Sequence, residues 1–209
     1  MLLHLSACDA GKPAAPKLAP ESEPPITTTE TEKPGVSIPA GGEMLFEAGF
    51  EVHQLNKGPE ERNASFERVS GAGTGFEHAI RGRVIEVPEM VWHAQISTPV
   101  KSDLPDGAIV LLSFWARTVE TEADSGMGEF LVYLGMPATD GVEPSVNQRE
   151  KVGPRWKQFL IPARVLTDYR KDLTHLNLDF GSGRQTIEFA GIQLHRYEGK
   201  EIGDLPVSE

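Results

Sequence analysis

Residues 109–118 read Ile-Val-Leu-Leu-Ser-Phe-Trp-Ala-Arg-Thr. Read with a two-residue period, Val110, Leu112, Phe114 and Ala116 share one face, and Leu111, Ser113, Trp115 and Arg117 share the other. One side is continuously apolar and the second carries aromatic and polar groups. That is the signature of a β-strand with a core face and a second face on which a function can be built. Leu104-Pro105-Asp106-Gly107 precedes the stretch with turn chemistry, so the strand starts near Ala108.

The same texture continues in both directions. The spacing predicts strands at 44–51, 65–71, 78–87, 91–100, 108–120, 129–136, 145–151, 156–162, 174–180 and 185–196. Asn56-Lys57-Gly58-Pro59, Asp140-Gly141 and Gly181-Ser182-Gly183 supply further breaks. In 174–180, Leu176, Leu178 and Phe180 face one way and His175, Asn177 and Asp179 the other. In the last strand Ile187 and Phe189 are in phase, but Ile192 and Leu194 are shifted by one, which predicts a bulge at Ala190-Gly191. No window holds a 3.6-residue period, and the best helical candidate is one turn near 167–171. Short strands at this spacing predict an all-β fold, a jelly-roll β-sandwich of two antiparallel sheets, over 43–198, with 199–209 as a C-terminal tail.

Ahead of that domain the composition changes. Residues 9–42 hold seven of the chain's 16 prolines and few large apolar side chains. Such a Pro/Thr/Glu-rich segment cannot bury enough surface to offset its ordering entropy, so it is expected to be a disordered linker acting as a semi-rigid spacer. It dilutes the hydrophobic fraction of the whole chain to 39%. The formal net charge is −11 without a Lys/Arg run, which argues against nucleic acid as a partner and against electrostatic attachment to an anionic membrane. The lone cysteine, Cys8, excludes an internal disulfide.

Residues 1–8, Met-Leu-Leu-His-Leu-Ser-Ala-Cys, end in a motif that resembles the lipobox of bacterial lipoproteins, with small residues at Ser6 and Ala7 before the acylated cysteine. The resemblance implies lipidation at Cys8, export, and a membrane partner reached through the lipid anchor in the bacterial cell envelope. Seven residues before the cysteine are fewer than a signal peptide needs. The segment therefore reads as a truncated lipoprotein signal behind a late start codon, with a stray N-terminal thiol as the other reading.

Within the domain, five pieces resemble the carbohydrate-binding modules of the CBM4/9 (galactose-binding-domain-like) group. They are Ala48-Gly49-Phe50-Glu51; Trp92-His93-Ala94-Gln95-Ile96; Gly107 with Leu111 to Arg117; Trp156-Lys157-Gln158-Phe159; and Leu176 to Gly181 followed by Gln185 to Glu188 and Gly191 to Leu194. The resemblance implies a polysaccharide or oligosaccharide partner of the β-glycan type, and no catalytic activity, although such modules often accompany a glycoside hydrolase or esterase. It also implies a structural calcium near the opening Phe-Glu and an acidic pair in the last strand. Here that pair reads Ala190-Gly191, with only Glu188 nearby; no metal ligand set or cofactor is assigned, and a structural calcium stays open as the alternative.

Sugar recognition needs aromatic rings to stack on pyranose faces and planar polar groups to pair with hydroxyls. The candidate binding residues are Trp92, Gln95, Trp115, Arg117, Tyr133, Asn177 and Asp179, which converge on one surface if their strands adjoin in one sheet. Each has a plainer reading. Trp92 can be core, and Trp115 with Arg117 can be a surface cation–π stack. Tyr133 can complete a cross-strand aromatic pair, and Asn177 and Asp179 can be a solvated sheet face. Trp156 is assigned to the core. The six His residues lack metal-ligand spacing, and no nucleophile elbow, phosphate loop or carboxylate pair placed for glycoside hydrolysis is present. Two other functions compete: an envelope domain, structural or protein-binding, without a sugar ligand, and a detached fragment of a glycoside hydrolase or esterase.

Overall fold

The computed structural model describes residues 38–48, 53–56, 64–136, 142–171 and 173–208. Cys8, most of the linker, the Gly49-Phe50-Glu51 motif and the Asp140-Gly141 turn lie outside them. Among the described residues eleven strands follow in order: β1 (Glu43–Ala48), β2 (His53–Asn56), β3 (Ala64–Ser70), β4 (His78–Val84), β5 (Ala94–Pro99), β6 (Ile109–Thr121), β7 (Gly128–Gly135), β8 (Val146–Val152), β9 (Lys157–Arg164), β10 (His175–Asp179) and β11 (Gln185–Tyr197). Every pairing is antiparallel. One sheet runs β3-β4-β11-β6-β9, with β1 added on β11, and the other runs β2-β5-β10-β7-β8. The two sheets form a β-sandwich.

The strand pattern follows the alternation in the sequence. Val110, Leu112, Phe114 and Ala116 of β6 and Leu176 and Leu178 of β10 all lie in the core between the sheets. Phe114, Phe130, Phe159 and Phe189 form its centre. The Phe114 and Phe159 rings stack at 5.0 Å, and Phe130 meets Phe189 edge-on at 5.2 Å. The bulge falls where the change of phase placed it: the register of β11 against β6 shifts between Ala190 and Gln193, and Gly191 has φ +58. The bulge also divides the labour of β11, which pairs with β4 over Thr186–Ala190 and with β1 over Ile192–Arg196.

Two elements differ from the sequence reading. Residues 167–171 form no helical turn; Tyr169 makes an isolated bridge with Leu104. The Tyr169 ring is buried, and its hydroxyl bonds to Ser145 and to the Glu143 carbonyl, which holds the segment extended. The expected strand 91–100 begins instead with a 3₁₀ turn at Val91–His93.

The outer face of the β6 sheet is itself covered. Leu111 packs with Ile109, Leu160, Tyr197, Leu205 and Ile38. The segment after Tyr197 docks along β9, where the Ser208 backbone donates to the Leu160 carbonyl and the Leu160 N–H donates to Ser208 Oγ at 2.6 Å. Further along the same face, Trp115, Ala79 and Ala190 pack with Val69, Phe76 and Trp156.

Candidate functional site

The outer face of the β10 sheet is built differently. The register places Gln95 beside Asp179, Asp179 beside Leu131 and Leu131 beside Arg149, in one row across β5, β10, β7 and β8. The next row is Ser97, Asn177, Tyr133 and Asn147. His175 lies in the row beyond and approaches Ser97 Oγ through Nδ1 at 3.1 Å. On this side, strand alternation delivers polar groups from four neighbouring strands, with Leu131 the apolar member of the row, because Ile96, Leu178 and Val132 between them turn into the core.

Several of these groups are buried although they face outward. Asp179 is 3% exposed, and Gln95 and Ser97 are buried with it. Asn177 Oδ1 and Asp179 Oδ1 are both shielded from solvent and have no hydrogen-bond partner. Burial pushes the Asp179 carboxyl up from 3.8 to about 7. The Tyr133 hydroxyl, which donates to the Met136 carbonyl at 3.0 Å, is raised first by burial and then by Tyr169 and Asp179. At the edge of the face, Glu129 accepts from Arg149 at 2.7 Å and lies 3.5 Å from Lys151 Nζ.

Gln95 also fixes the end of the row. Its Nε2 donates to the Trp92 carbonyl at 2.8 Å, tying the 3₁₀ turn to the sheet. The Trp92 side chain is 48% exposed, so it is not a core residue. A large aromatic ring thus stands in solvent on a turn anchored to the polar face.

Trp115 and Arg117 do not join this surface. β6 belongs to the opposite sheet, and its outer face is sealed by the apolar cluster around Trp115, which is 7% exposed. Arg117 stacks on a tryptophan, but on Trp156 at 4.6 Å to the ring centroid. Trp156 is half-buried, and its Nε1 donates to the Ala72 carbonyl. The row beside this stack alternates in charge across four strands: Glu67, Arg81, Glu188, Arg117. Glu188 is 0% exposed, with Arg81 Nε at 2.8 Å and Nη2 at 2.5 Å on one oxygen and Arg117 Nε at 2.6 Å on the other. Residue alternation, the basis for placing Trp115 and Arg117 with the others, separates two faces of a strand but does not say which sheet the strand enters.

The last-strand half of the calcium site implied by the family resemblance offers no free ligand; the other half, Phe50-Glu51, lies outside the described residues. Both oxygens of Glu188 are engaged by guanidinium groups. Ala190 supplies no ligand, and a side chain at Gly191 would overlap the Phe76 ring. Among the described residues no group of three His, Cys, Asp or Glu side chains is placed to hold a metal.

No protein-family model matches the chain, and no curated protein matches it. Solved structures do match in fold. The CBM1 module of BiXyn10A, in apo form, is similar with a TM-score of 0.53 at 13% identity, over 73% of this chain and 98% of that one. The C-terminal family 22 carbohydrate-binding module of Clostridium thermocellum Xyn10B gives 0.50 at 15% identity, over 76% and 95%. A chain of the same xylanase comprising CBM22-1 and GH10 modules, complexed with xylohexaose, gives 0.52 at 11% identity, over 75% of this chain and 29% of that one. The domain therefore has the β-sandwich fold of carbohydrate-binding modules.

Proposed function

We propose that the domain is a non-catalytic glycan-binding module whose ligand lies on the outer face of the β10 sheet. The observation that carries the reading is the pair of buried, unpartnered acceptors, Asn177 Oδ1 and Asp179 Oδ1, two residues apart on one strand. An unsatisfied buried acceptor is destabilising by about 1–3 kcal/mol and is rare in a folded protein, so two on one outward face need an explanation. Hydroxyl donors of a polyol supply one. The exposed Trp92 ring, on the turn tied to Gln95, offers the apolar platform that a pyranose face requires. The solved chains that share this fold, one of them a xylanase chain of CBM22-1 and GH10 modules complexed with xylohexaose, support a β-linked glycan.

Affinity electrophoresis in gels containing neutral arabinoxylan, mixed-linkage β-glucan, hydroxyethylcellulose or galactomannan tests this, with pullulan as an α-linked control. At least one β-glycan is expected to retard the protein, and Trp92→Ala to remove the retardation. Equal migration in all five gels would overturn the reading.

We further propose that Cys8 carries the lipid that anchors this module to the bacterial envelope, accessory to polysaccharide degradation. Cys8→Ala is expected to move the protein from the detergent phase to the aqueous phase in a Triton X-114 partition of the cells that make it. A second reading, an envelope domain that binds protein, is favoured by Ile85, Val87, Met90 and Trp92, all exposed on the β4–β5 connection. It predicts cross-links to a protein through this connection and no migration shift with any glycan.

A further inference from the structure

Three connections cross between the sheets at one end of the sandwich: β4–β5, β6–β7 and β10–β11. They enclose an open groove of about 390 Å³, within the size range of ligand sites. Val87 and Met127 give it apolar wall, and Arg184 and Glu122 stand 3.8 Å apart, too far for a hydrogen bond between them. Glu129 and Lys151 complete the lining. These two are also the last outward pair of β7 and β8 on the β10 sheet, so the groove and the glycan-binding face share an edge.

The frame of the groove is set before any ligand arrives. The buried Gln185 amide accepts from the Glu129 N–H at 2.9 Å and donates to the carbonyls of Glu129 and Phe180 at 2.7 and 2.6 Å. The Glu122 N–H donates to the Arg184 carbonyl at 3.1 Å, which joins the two turns. The Gly181 N–H donates to the Val91 carbonyl at 3.1 Å, and this fixes the connection carrying both Val87 and Trp92 to the β10–β11 turn. A preformed site avoids part of the ordering cost of binding.

Resting on the glycan reading above, we infer that this groove takes a neutral side-chain sugar of a branched β-glycan whose main chain lies on the β10 face. Shape selects a branch. A straight β-1,4-linked chain laid on the face cannot also turn past Glu129 and Lys151 into the end of the sandwich, whereas a sugar leaving the main chain sideways can. The volume suits about one or two sugar rings, not a continuing chain. The chemistry of the lining agrees. Two cations and two carboxylates leave it without net charge, and together they offer donors and acceptors to the hydroxyls of a neutral sugar. Val87 and Met127 supply contact for its C–H surface.

Affinity electrophoresis of the full chain reads this with two pairs of polysaccharides: arabinoxylan before and after partial removal of its arabinose, and galactomannan before and after removal of its galactose. In at least one pair the branched form is expected to bind about tenfold more tightly, the contribution of about one or two hydrogen bonds. Arg184→Ala removes a donor, and Ala123→Trp fills the groove from an exposed turn position. Both variants should bind the branched form only as tightly as wild type binds the debranched one, with affinity for the debranched form unchanged. Equal wild-type affinity for the two forms of each pair, a preference that survives in either variant, or a variant that weakens both forms alike would overturn the inference and leave glycan binding on the face in place. So would retardation by mixed-linkage β-glucan or hydroxyethylcellulose alone, which carry no sugar branches. Absence of retardation in every gel removes the glycan reading itself, and this inference with it.

Discussion

Replacing Glu188 by Gln tests whether the charged row on the β6 sheet is a structural tie. The substitution keeps the shape of the side chain and removes its charge, leaving Arg81 and Arg117 facing a neutral amide. Breaking a fully buried ion pair destabilises by about 3–5 kcal/mol. Here the guanidinium groups retain exposures of 32% and 34% and keep a second partner each, Glu67 for Arg81 and the Trp156 ring for Arg117. Water and these partners compensate part of the loss, which brings the expected cost to about 2 kcal/mol. For a domain of this size that lowers Tm by roughly 4–8 °C. Urea unfolding followed by tryptophan fluorescence measures it, in low salt and again in about 0.5 M NaCl. Because Glu188 has no contact with solvent, most of the loss should persist in salt. Glycan affinity should not change, since Asn177 and Asp179 belong to the other sheet. A variant within about 0.5 kcal/mol of wild type, or a loss abolished by salt, would refute the argument that burial makes this network matter.

The two tryptophans should separate function from stability. Trp92→Ala is expected to weaken glycan binding at least tenfold with an unfolding midpoint close to wild type, whereas Trp115→Ala should cost about 3–5 kcal/mol of stability and leave the affinity of the surviving folded protein unchanged. Chelation with EDTA should not shift Tm, because guanidinium groups already hold Glu188; a drop restored by calcium would contradict that assignment. Asp179 makes a pH prediction of its own. Its folded pKa, raised from 3.8 to about 7, lets the native state keep a proton that the unfolded chain has lost, so stability falls as pH rises between those values and levels off above them. Asp179→Asn should therefore be more stable than wild type at about pH 8, by at most about 4 kcal/mol, and nearly equal at about pH 4. A gap that does not widen between those pH values would argue against a desolvated carboxyl.

Ten of the eleven strands were legible as alternating or apolar runs bounded by turn residues, and so was the bulge at Ala190-Gly191. β2 was not, because His53-Gln54-Leu55-Asn56 has one apolar residue and no pattern; its place on β5 comes from tertiary pairing. Gln95, Tyr133, Asn177 and Asp179 do share a face, because β5, β10 and β7 adjoin in one sheet, a condition that alternation alone left open. Trp115 and Arg117 do not, and the signal was present: β6 carries Leu111 and Trp115 opposite its core face. A strand apolar on both sides is covered on both sides, which makes it a poor host for a ligand. The Arg81–Glu188–Arg117 network had no signature, because residues 81, 117 and 188 meet only through strand order, a long-range property that local periodicity does not encode.

Pro39 accepts a hydrogen bond from the Tyr197 hydroxyl, and Ile38 packs on the cluster behind β6. The polypeptide thus joins the sandwich at its back. Force applied to the chain at Ile38 would therefore be borne first by the β6 sheet through Tyr197 and its neighbours, and not by the opposite sheet that carries Asn177 and Asp179.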